Sequence, residues 1–523
     1  MKRISLLLAA ALTLLTATAQ TEYAWQDDAE AGKLDPRKNL HYEVGLQGSF
    51  ARNKTPLWLN ANKHGLSSLD ESNGYVRGSL TRPLSTDDNR HWGMGYGLDV
   101  ALPYHYSSDI VVQQAYVEGR WYHGTLTVGA KEYPMELKNN RLSSGSQTLG
   151  INARPVPQVR LALPKYWVLP IGNDWLRLKG HIAFGKMTDD AWQHDFTKRR
   201  TKYADDVLYH SKAGYLMIGN PDRFIPLSLE LGLEMATTFG GKAYRPLKDG
   251  TMETLEGKGG LGGMWDAFVP GGSDAGETTY KNRAGNQLGS WLMRVNYDAD
   301  RWTMHAYVDK FFEDHSGMFM LDYDGYGEGS EWQQKKSRRY LLYDLKDMLL
   351  GLELNIKNGT WLRDIVLEYM YTKYQSGPIY HDHTTAVPDH IGGADNYYNH
   401  TIYTGWQHWG QAIGNPLFRS PIYNEDGTID FRNTRFIAFH LGIDGAPTER
   451  LSYRALATYQ SGWGTYGNPY NKNHHNVSLM VEAAYRLPKD WSVSCAYGMD
   501  FGHILGANAG LRLTVSKTGI LNL

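Results

Sequence analysis

Alternation of apolar and polar side chains, repeated along most of the chain, constrains this sequence more than any other feature. Leu40, Tyr42, Val44 and Leu46 share one face while His41, Glu43 and Gln47 share the other, as side chains do on an extended strand. The pattern returns with Leu227, Leu229, Leu231, Leu233 and Met235 against Ser228, Glu230 and Glu234, and with Leu350, Leu352, Leu354 and Ile356 against Glu353 and Asn355. Leu479, Val481, Ala483 and Tyr485 stand against Ser478 and Glu482, and a last strand runs through Leu511, Leu513 and Val515. These segments reach about nine or ten residues, beyond the roughly five or six of ordinary strands and close to what a tilted strand needs to cross a bilayer. Downstream of the N-terminal stretch no apolar run reaches the ~18 residues of a helical span, so a passage through the membrane is made by strands. Repeated carboxylates on the second face are cheap where that face lines a hydrated lumen and costly in a dry sandwich core. The expectation is an all-β chain closed into a transmembrane antiparallel β-barrel.

The N-terminus agrees with that destination. Lys2 and Arg3 precede an apolar stretch from Ile4 to Leu15, and Ala17-Thr18-Ala19 supplies small residues before Gln20. This is the pattern of a cleaved secretory signal peptide, so residues 1–19 are set aside and residues 20–523 are expected to form one barrel domain. Cys495 is the only cysteine, which leaves no lipid-anchor cysteine after the apolar stretch and no disulfide framework. With 35 Tyr and 16 Trp against 14 Phe, amphipathic aromatics dominate, as they do at the two rims of a membrane barrel. A formal net charge of −1 argues against nucleic acid as a partner.

The connections distinguish the two rims. Asp298-Ala299-Asp300, Asn358-Gly359 and Pro488-Lys489-Asp490, each just before a tryptophan (Trp302, Trp361, Trp491), read as short periplasmic hairpins. Long polar stretches, Gly240 to Asn286, Gly317 to Tyr340 and Gln375 to Arg432, read as the long extracellular loops of outer-membrane barrels, where specific function sits.

Specific strings carry a family resemblance. They are Asn152-Ala153-Arg154-Pro155-Val156-Pro157-Gln158, then Phe311-Phe312-Glu313-Asp314 with Ser316-Gly317-Met318, and Tyr369-Met370-Tyr371-Thr372-Lys373 leading to Gln375-Ser376-Gly377-Pro378. Asp395-Asn396-Tyr397-Tyr398-Asn399, Gly405-Trp406, Ile413-Gly414-Asn415-Pro416-Leu417 and Phe431-Arg432-Asn433 continue the series in order. Together they resemble the Wzi capsule-assembly family in its Bacteroidetes form. The resemblance implies an outer-membrane barrel of about eighteen strands, a plausible size for this length, acting as a lectin that tethers capsular polysaccharide or exopolysaccharide.

The richest candidate site lies between Gly392 and Phe418, where Tyr397, Tyr398, Tyr403, Trp406 and Trp409 stand among Asp395, Asn396, Asn399, His400, Gln407, His408 and Asn415. Sugars present apolar CH faces and many hydroxyls, so flat rings beside amides and carboxylates suit them. The same aromatics also suit a structural plug at the barrel mouth. Asp395, Asn396, Tyr397, Tyr398, Trp406, Trp409, Asn415 and Arg154 are the expected polysaccharide contacts, although Arg154 between small and Pro residues suits anchoring a loop to the barrel wall better than meeting an acidic sugar. The runs Lys198-Arg199-Arg200-Thr201-Lys202 and Lys335-Lys336-Ser337-Arg338-Arg339 read as solvated loop faces or as contacts for anionic polymer and lipopolysaccharide. His381-Asp382-His383 is too sparse for a metal site, and none is expected. The chain has no G-x-S-x-G elbow, no phosphate-binding glycine loop and no H-E-x-x-H, and Glu230 with Glu234 reads as lumen lining rather than a glycosidase pair.

The sequence therefore reads as a non-enzymatic, cofactor-free outer-membrane lectin of a Gram-negative bacterium. Its expected partners are surface polysaccharide, outer-membrane lipids with lipopolysaccharide, and capsule-export proteins. The alternative from a different class is a porin or solute channel.

Overall fold

A computed structural model describes residues 25–220, 225–247, 249–269, 285–313, 346–375 and 395–522, with short pieces between 321 and 341. The expected signal peptide, His381-Asp382-His383, Ser316-Gly317-Met318 and Ser376-Gly377-Pro378 lie outside the described residues.

Eighteen strands form one closed antiparallel sheet. In chain order the barrel strands are β1 Leu40–Arg52, β2 Ser72–Arg82, β3 Trp92–Tyr104, β4 Val111–Trp121, β5 Gly124–Ala130 and β6 Gln158–Val168. They continue with β7 Leu176–Lys186, β8 Leu208–Ile218, β9 Leu227–Phe239, β10 Asn286–Asp298, β11 Trp302–Glu313 and β12 Met348–Ile356. The last six are β13 Asp364–Tyr371, β14 Phe436–Gly445, β15 Leu451–Gly464, β16 Pro469–Arg486, β17 Trp491–Gly502 and β18 Asn508–Leu521. Each strand pairs with its chain neighbours, and β1 pairs with β18 from Leu40↔Leu521 to Arg52↔Ala509. Closure leaves no strand edge and satisfies every ladder hydrogen bond internally, the condition for β-structure in lipid.

Polarity is inverted relative to a water-soluble fold. Val44, Leu46, Leu98, Leu102, Val117, Leu231, Leu352, Leu441, Val481 and Leu513 are exposed on the outside, while Gln47, Asp99, Glu118, Glu230, Glu234, Asp309, Glu368 and Arg512 are buried inside. An apolar outer belt around a polar interior is the arrangement of a membrane-spanning barrel. Trp92, Trp302, Trp361 and Trp491 are exposed near the periplasmic ends of the strands, and Tyr104, Tyr459 and Phe501 near the extracellular ends, giving the belt two aromatic rims. The turn before Trp491 closes tightly because Lys489 and Asp490 both take left-handed backbone, with φ 61° and 60°, so the strand twist is matched without glycine.

The interior is filled by loops that fold inward from the extracellular rim. Residues 53–71 enter beside β15, β17 and β18: the Leu57 N–H donates to Asp500 Oδ2 at 3.0 Å, Trp58 Nε1 to Thr458 Oγ1 at 3.1 Å, and Arg512 Nη1 to the Leu59 carbonyl at 3.0 Å. Residues 131–157 follow the opposite wall. There Ser144 N–H donates to Glu368 Oε2 at 2.7 Å, Gln147 N–H to Asp309 Oδ2 at 3.1 Å, and Leu149 N–H to Glu234 Oε2 at 3.3 Å. Lys138 reaches the same Asp309 at 2.7 Å, both groups being fully shielded. Of the inward carboxylates expected to face water in the lumen, Glu234, Asp309, Glu368 and Asp500 instead accept from loop backbone, while Asp99, Glu118 and Glu230 pair with side chains. Buried N–H groups need such partners, and a carboxylate makes a strong one.

Candidate functional site

The residues between Asp395 and Arg435 cap this interior, and the side chains picked out in the sequence separate into three groups. Tyr397, Tyr398, Trp406 and Asn415 are fully buried, which corrects the expectation that they form a solvent-facing platform. Trp406 donates its Nε1–H to the Thr148 carbonyl at 2.9 Å and lies parallel to Tyr209 of the inner wall, centroids 5.9 Å apart. Tyr397 donates to Asp347 Oδ2 at 2.9 Å and meets Phe311 edge-on. Tyr398, in left-handed backbone at φ 68°, stacks on Phe418 with centroids 4.0 Å apart. Its N–H donates to Glu313 Oε2 at 2.8 Å, and its hydroxyl donates to the Gln147 carbonyl while accepting the Asn415 N–H at 2.9 Å. Their polar atoms are committed to the plug, and the rings form its core with Phe311, Phe418, Phe431 and Phe436.

Trp409 and Arg154 make the second group. The Arg154 guanidinium lies 4.2 Å from the Trp409 ring centroid and donates to Ser108 Oγ at 2.9 Å and Ser107 Oγ at 3.1 Å. Burial pulls the Arg154 pKa down to about 10, with Tyr106 and Asp189 opposing. The stacked pair ties together residues 107–108, 154 and 409, which is the anchoring role.

Asp395 and Asn396, the third group, open onto an extracellular cleft of about 670 Å³. Three pieces of chain build it. The first is the segment Asp395–Thr401, with Glu313 beneath it. The second is the turn ending at Asp430, Phe431 and Arg432, and the third is the hairpin tip Thr465–Tyr470 between β15 and β16, with Lys202 closing one side. Asn399 joins the first two pieces, donating its Nδ2–H to the Phe431 carbonyl at 2.8 Å and accepting the Phe431 N–H at 2.9 Å. Asn396 Oδ1 accepts from Asn399 Nδ2 at 3.0 Å and Thr434 Oγ1 at 3.1 Å. Arg432 is held between Asp430 at 3.0 Å and Asp426 at 2.6 Å. The hairpin tip is closed by its own hydrogen bond, Asn468 N–H to Thr465 Oγ1 at 2.9 Å, and Tyr470 is stacked on His474 with centroids 4.0 Å apart.

The cleft's charges are tuned by partial burial. Burial lowers the Lys202 pKa to about 8, against the pull of Asp430, and raises that of Asp430, against Arg432. His400 is driven down to about 3 by burial, with the Lys202 charge adding to the effect. Its Nδ1 accepts the N–H groups of Ile402 at 3.2 Å and Tyr403 at 3.0 Å, so the neutral ring carries its proton on Nε2. The lining combines amide, hydroxyl, carboxylate and ammonium groups with one aromatic face, a set suited to a hydroxyl-rich ligand.

Sequence reading placed Asp395 and Asn396 here but missed Asp430, Thr465, Asn468 and Tyr470. The run Gly467-Asn468-Pro469-Tyr470 between two alternating strands was the available signal, a turn with an amide and a ring at its tip. The basic run 198–202 divides in space: Lys198 and Arg199 adopt left-handed backbone after the helix Asp190–Thr197, and only Lys202 reaches the cleft.

No protein-family model and no curated protein matches this sequence. Among solved structures the fold is similar to that of Wzi from Escherichia coli, described as an outer-membrane protein involved in group 1 capsule assembly and a carbohydrate-binding β-barrel. That likeness covers 92% of this chain and 84% of the other, at 12% identity and a TM-score of 0.53. OprD of Pseudomonas aeruginosa is also similar, at 11% identity over 96% of this chain and 100% of the other, with a TM-score of 0.45. At 12% identity the likeness to Wzi supports the outer-membrane β-barrel fold alone.

Proposed function

We propose that this protein is a non-enzymatic outer-membrane lectin that holds surface polysaccharide through its extracellular cleft during capsule or exopolysaccharide assembly. The observation that carries the reading is the cleft, where Asp395, Asn396, Asn468 and Tyr470 meet at the extracellular mouth of a barrel whose interior is occupied by loops. The likeness to a barrel described as carbohydrate-binding supports it, as do the family strings, which include Asp395-Asn396 and Phe431-Arg432. A repeating polymer multiplies weak contacts by effective concentration, so modest affinity per sugar suffices. The protein would reach the outer membrane of a Gram-negative bacterium through a cleaved signal peptide, with outer-membrane lipids around its belt and capsule-export proteins as neighbours.

The test is binding of the organism's own purified surface polysaccharide to the detergent-solubilised barrel. Tyr470→Ala removes a stacking face worth about 0.5–1.5 kcal/mol, so affinity is expected to fall roughly two- to twelvefold while the barrel stays folded. Unchanged affinity in the Tyr470→Ala, Asn468→Ala double variant, or no binding by the wild type, would reject the reading. The channel alternative has one feature in its favour, a cavity of about 460 Å³ at the periplasmic end lined by Tyr116, Glu118, Arg120 and Lys179. Planar-bilayer recording separates the two: a silent barrel agrees with the lectin, a steady open pore with the channel.

A further inference from the structure

On the outer wall, near the extracellular ends of β8 and β9, side chains that point away from the lumen are nonetheless covered. Register decides their direction. Tyr209 faces inward, where its ring lies on Trp406, so its neighbours Leu208 and His210 face outward. Phe239 pairs with Leu208, and Lys212 pairs with Met235 and Ile182, so Phe239 and Lys212 face outward as well. Outward neighbours such as Ile182 and Leu231 are 39% exposed, as a lipid-facing belt requires, yet Phe239 and His210 are each 1% exposed.

Phe184 of β7 stacks on His210 with centroids 4.3 Å apart, and the nine-residue helix Gly260–Phe268 packs over Phe239 and His210 from outside. Its buried residues, Gly263 and Ala267, are one turn apart, and a Cβ on Gly263 would come within 3.5 Å of the Phe239 ring. The Phe268 ring meets His210 edge-on with centroids 6.0 Å apart. Lys212 Nζ donates to the Phe268 carbonyl and stands 4.9 Å from the centre of the Phe268 ring. A lysine on the lipid-facing wall thereby finds an acceptor and an aromatic face at the helix C-terminus, where cations are favoured. The opposite side of the helix is also apolar: Leu261 is 87% exposed and Trp265, one turn on, 52%. Its charged edge is the pair Lys258–Asp266 at 2.6 Å.

A helix with an exposed Leu-Trp stripe is poorly placed in water, and this one stands on a surface continuous with the apolar belt of the barrel. The geometry points to Gly260–Phe268 as an interfacial anchor. It lies in the outer leaflet against the barrel wall, with Leu261 and Trp265 among lipid acyl chains, the Lys258–Asp266 edge toward water and Lys212 fastening it from beneath. The partner is the bilayer itself, and the element lies apart from the polysaccharide cleft.

Site-directed spin labelling tests this in the full-length barrel reconstituted into phosphatidylcholine–phosphatidylglycerol vesicles. Leu261→Cys, Trp265→Cys and Asp249→Cys are made separately in a Cys495→Ala background, because Cys495 is exposed, and each carries a nitroxide. Molecular oxygen concentrates among acyl chains and a nickel chelate stays in water. At 261 and 265 the oxygen collision rate is expected to exceed the nickel rate several-fold, with the reverse at 249, in samples whose heat-modifiable electrophoretic mobility shows a folded barrel. Nickel dominance at 261 and 265 would put the helix in water and overturn the proposal. An immobilised label shielded from both reagents would put protein over it, a second copy or another chain, and overturn it equally. Lys212→Met is expected to raise nickel collisions at 265 at least twofold, and no change there would remove Lys212 from the anchor.

Discussion

Replacing Trp406 by alanine separates a plug residue from a ligand platform more sharply than any other single change. The ring is fully buried, donates to the Thr148 carbonyl at 2.9 Å and lies on Tyr209. Around it the backbone is also engaged, Trp406 N–H to the Tyr398 carbonyl at 2.8 Å and Ile413 N–H to the Trp406 carbonyl at 3.0 Å. Truncating a buried Trp costs about 3–5 kcal/mol, and here the Thr148 carbonyl also loses its donor. Since Trp406 meets the barrel wall at the Tyr209 ring and makes its side-chain hydrogen bond to loop residue Thr148, the loss falls on docking of the 395–435 segment rather than on strand pairing. A change of about 4 kcal/mol raises the population of the undocked segment roughly a thousandfold.

Limited trypsinolysis in detergent reads that population directly while reclosing outpaces cleavage. Cleavage at Arg419 or Arg432 in Trp406→Ala is expected to accelerate by about two to three orders of magnitude, with the barrel's heat-modifiable mobility unchanged. Trp409→Ala, which loses only a partly exposed ring under Arg154, is expected to change cleavage less than about fivefold, a surface-sized effect. If Trp406→Ala resists trypsin like the wild type yet loses polysaccharide binding, the ring is a ligand contact and the plug assignment is refuted.

Three further outcomes follow from the geometry. Lys138→Met strands the buried Asp309 carboxylate at a cost of about 3–5 kcal/mol, so residues 131–157 should undock and current steps should appear in planar bilayers. Adding Asp309→Asn, which removes the stranded charge but keeps an acceptor for the Gln147 N–H, should restore silence. Lys202, with a pKa near 8, is cationic below that pH and neutral above it, so affinity for an anionic polysaccharide should fall as pH rises from about 7 to 9 and stay flat in Lys202→Met. Val481, exposed on the belt between Tyr485 toward one rim and Phe501 toward the other, should tolerate arginine poorly. Urea titration of Val481→Arg in lipid vesicles should show a loss of about 2–4 kcal/mol, and a loss under about 0.5 kcal/mol would place that position outside the hydrocarbon.

Alternation made the barrel legible because burial and exposure on a strand follow parity alone. Val44 and Leu46 fall outside and Gln47 inside, as the pattern of β1 requires. The tight turn at Pro488-Lys489-Asp490 was equally local. The cleft was half legible: Asp395 and Asn396 belong to a string dense in rings and amides, whereas Asp430, Asn468 and Tyr470 come from segments up to 75 residues further along the chain that only the barrel's closure brings together. The direction of the rings was not legible at all. Trp406 faces Tyr209, almost two hundred positions earlier, and nothing in the local sequence of either residue encodes the other.

The inward carboxylates tie these points together. Glu234, Asp309 and Glu368 alternate correctly for a hydrated lumen, and from sequence they are indistinguishable from pore lining. In the structure each accepts the N–H of an inward-folded loop residue, Leu149, Gln147 and Ser144 in turn. A carboxylate out of water requires such donors, and backbone N–H groups out of water require such acceptors, so wall and plug need each other. Three successive contacts along residues 144–149 fix this segment against β9, β11 and β13. That segment in turn receives Trp406 on Thr148 and Tyr398 on Gln147. The lumen face thus acts as a socket that positions the plug, and through Tyr398 and its neighbours the cleft above it. A neutralising substitution on the wall, Glu368→Leu, should therefore disturb polysaccharide binding from below the cleft without touching any residue that lines it.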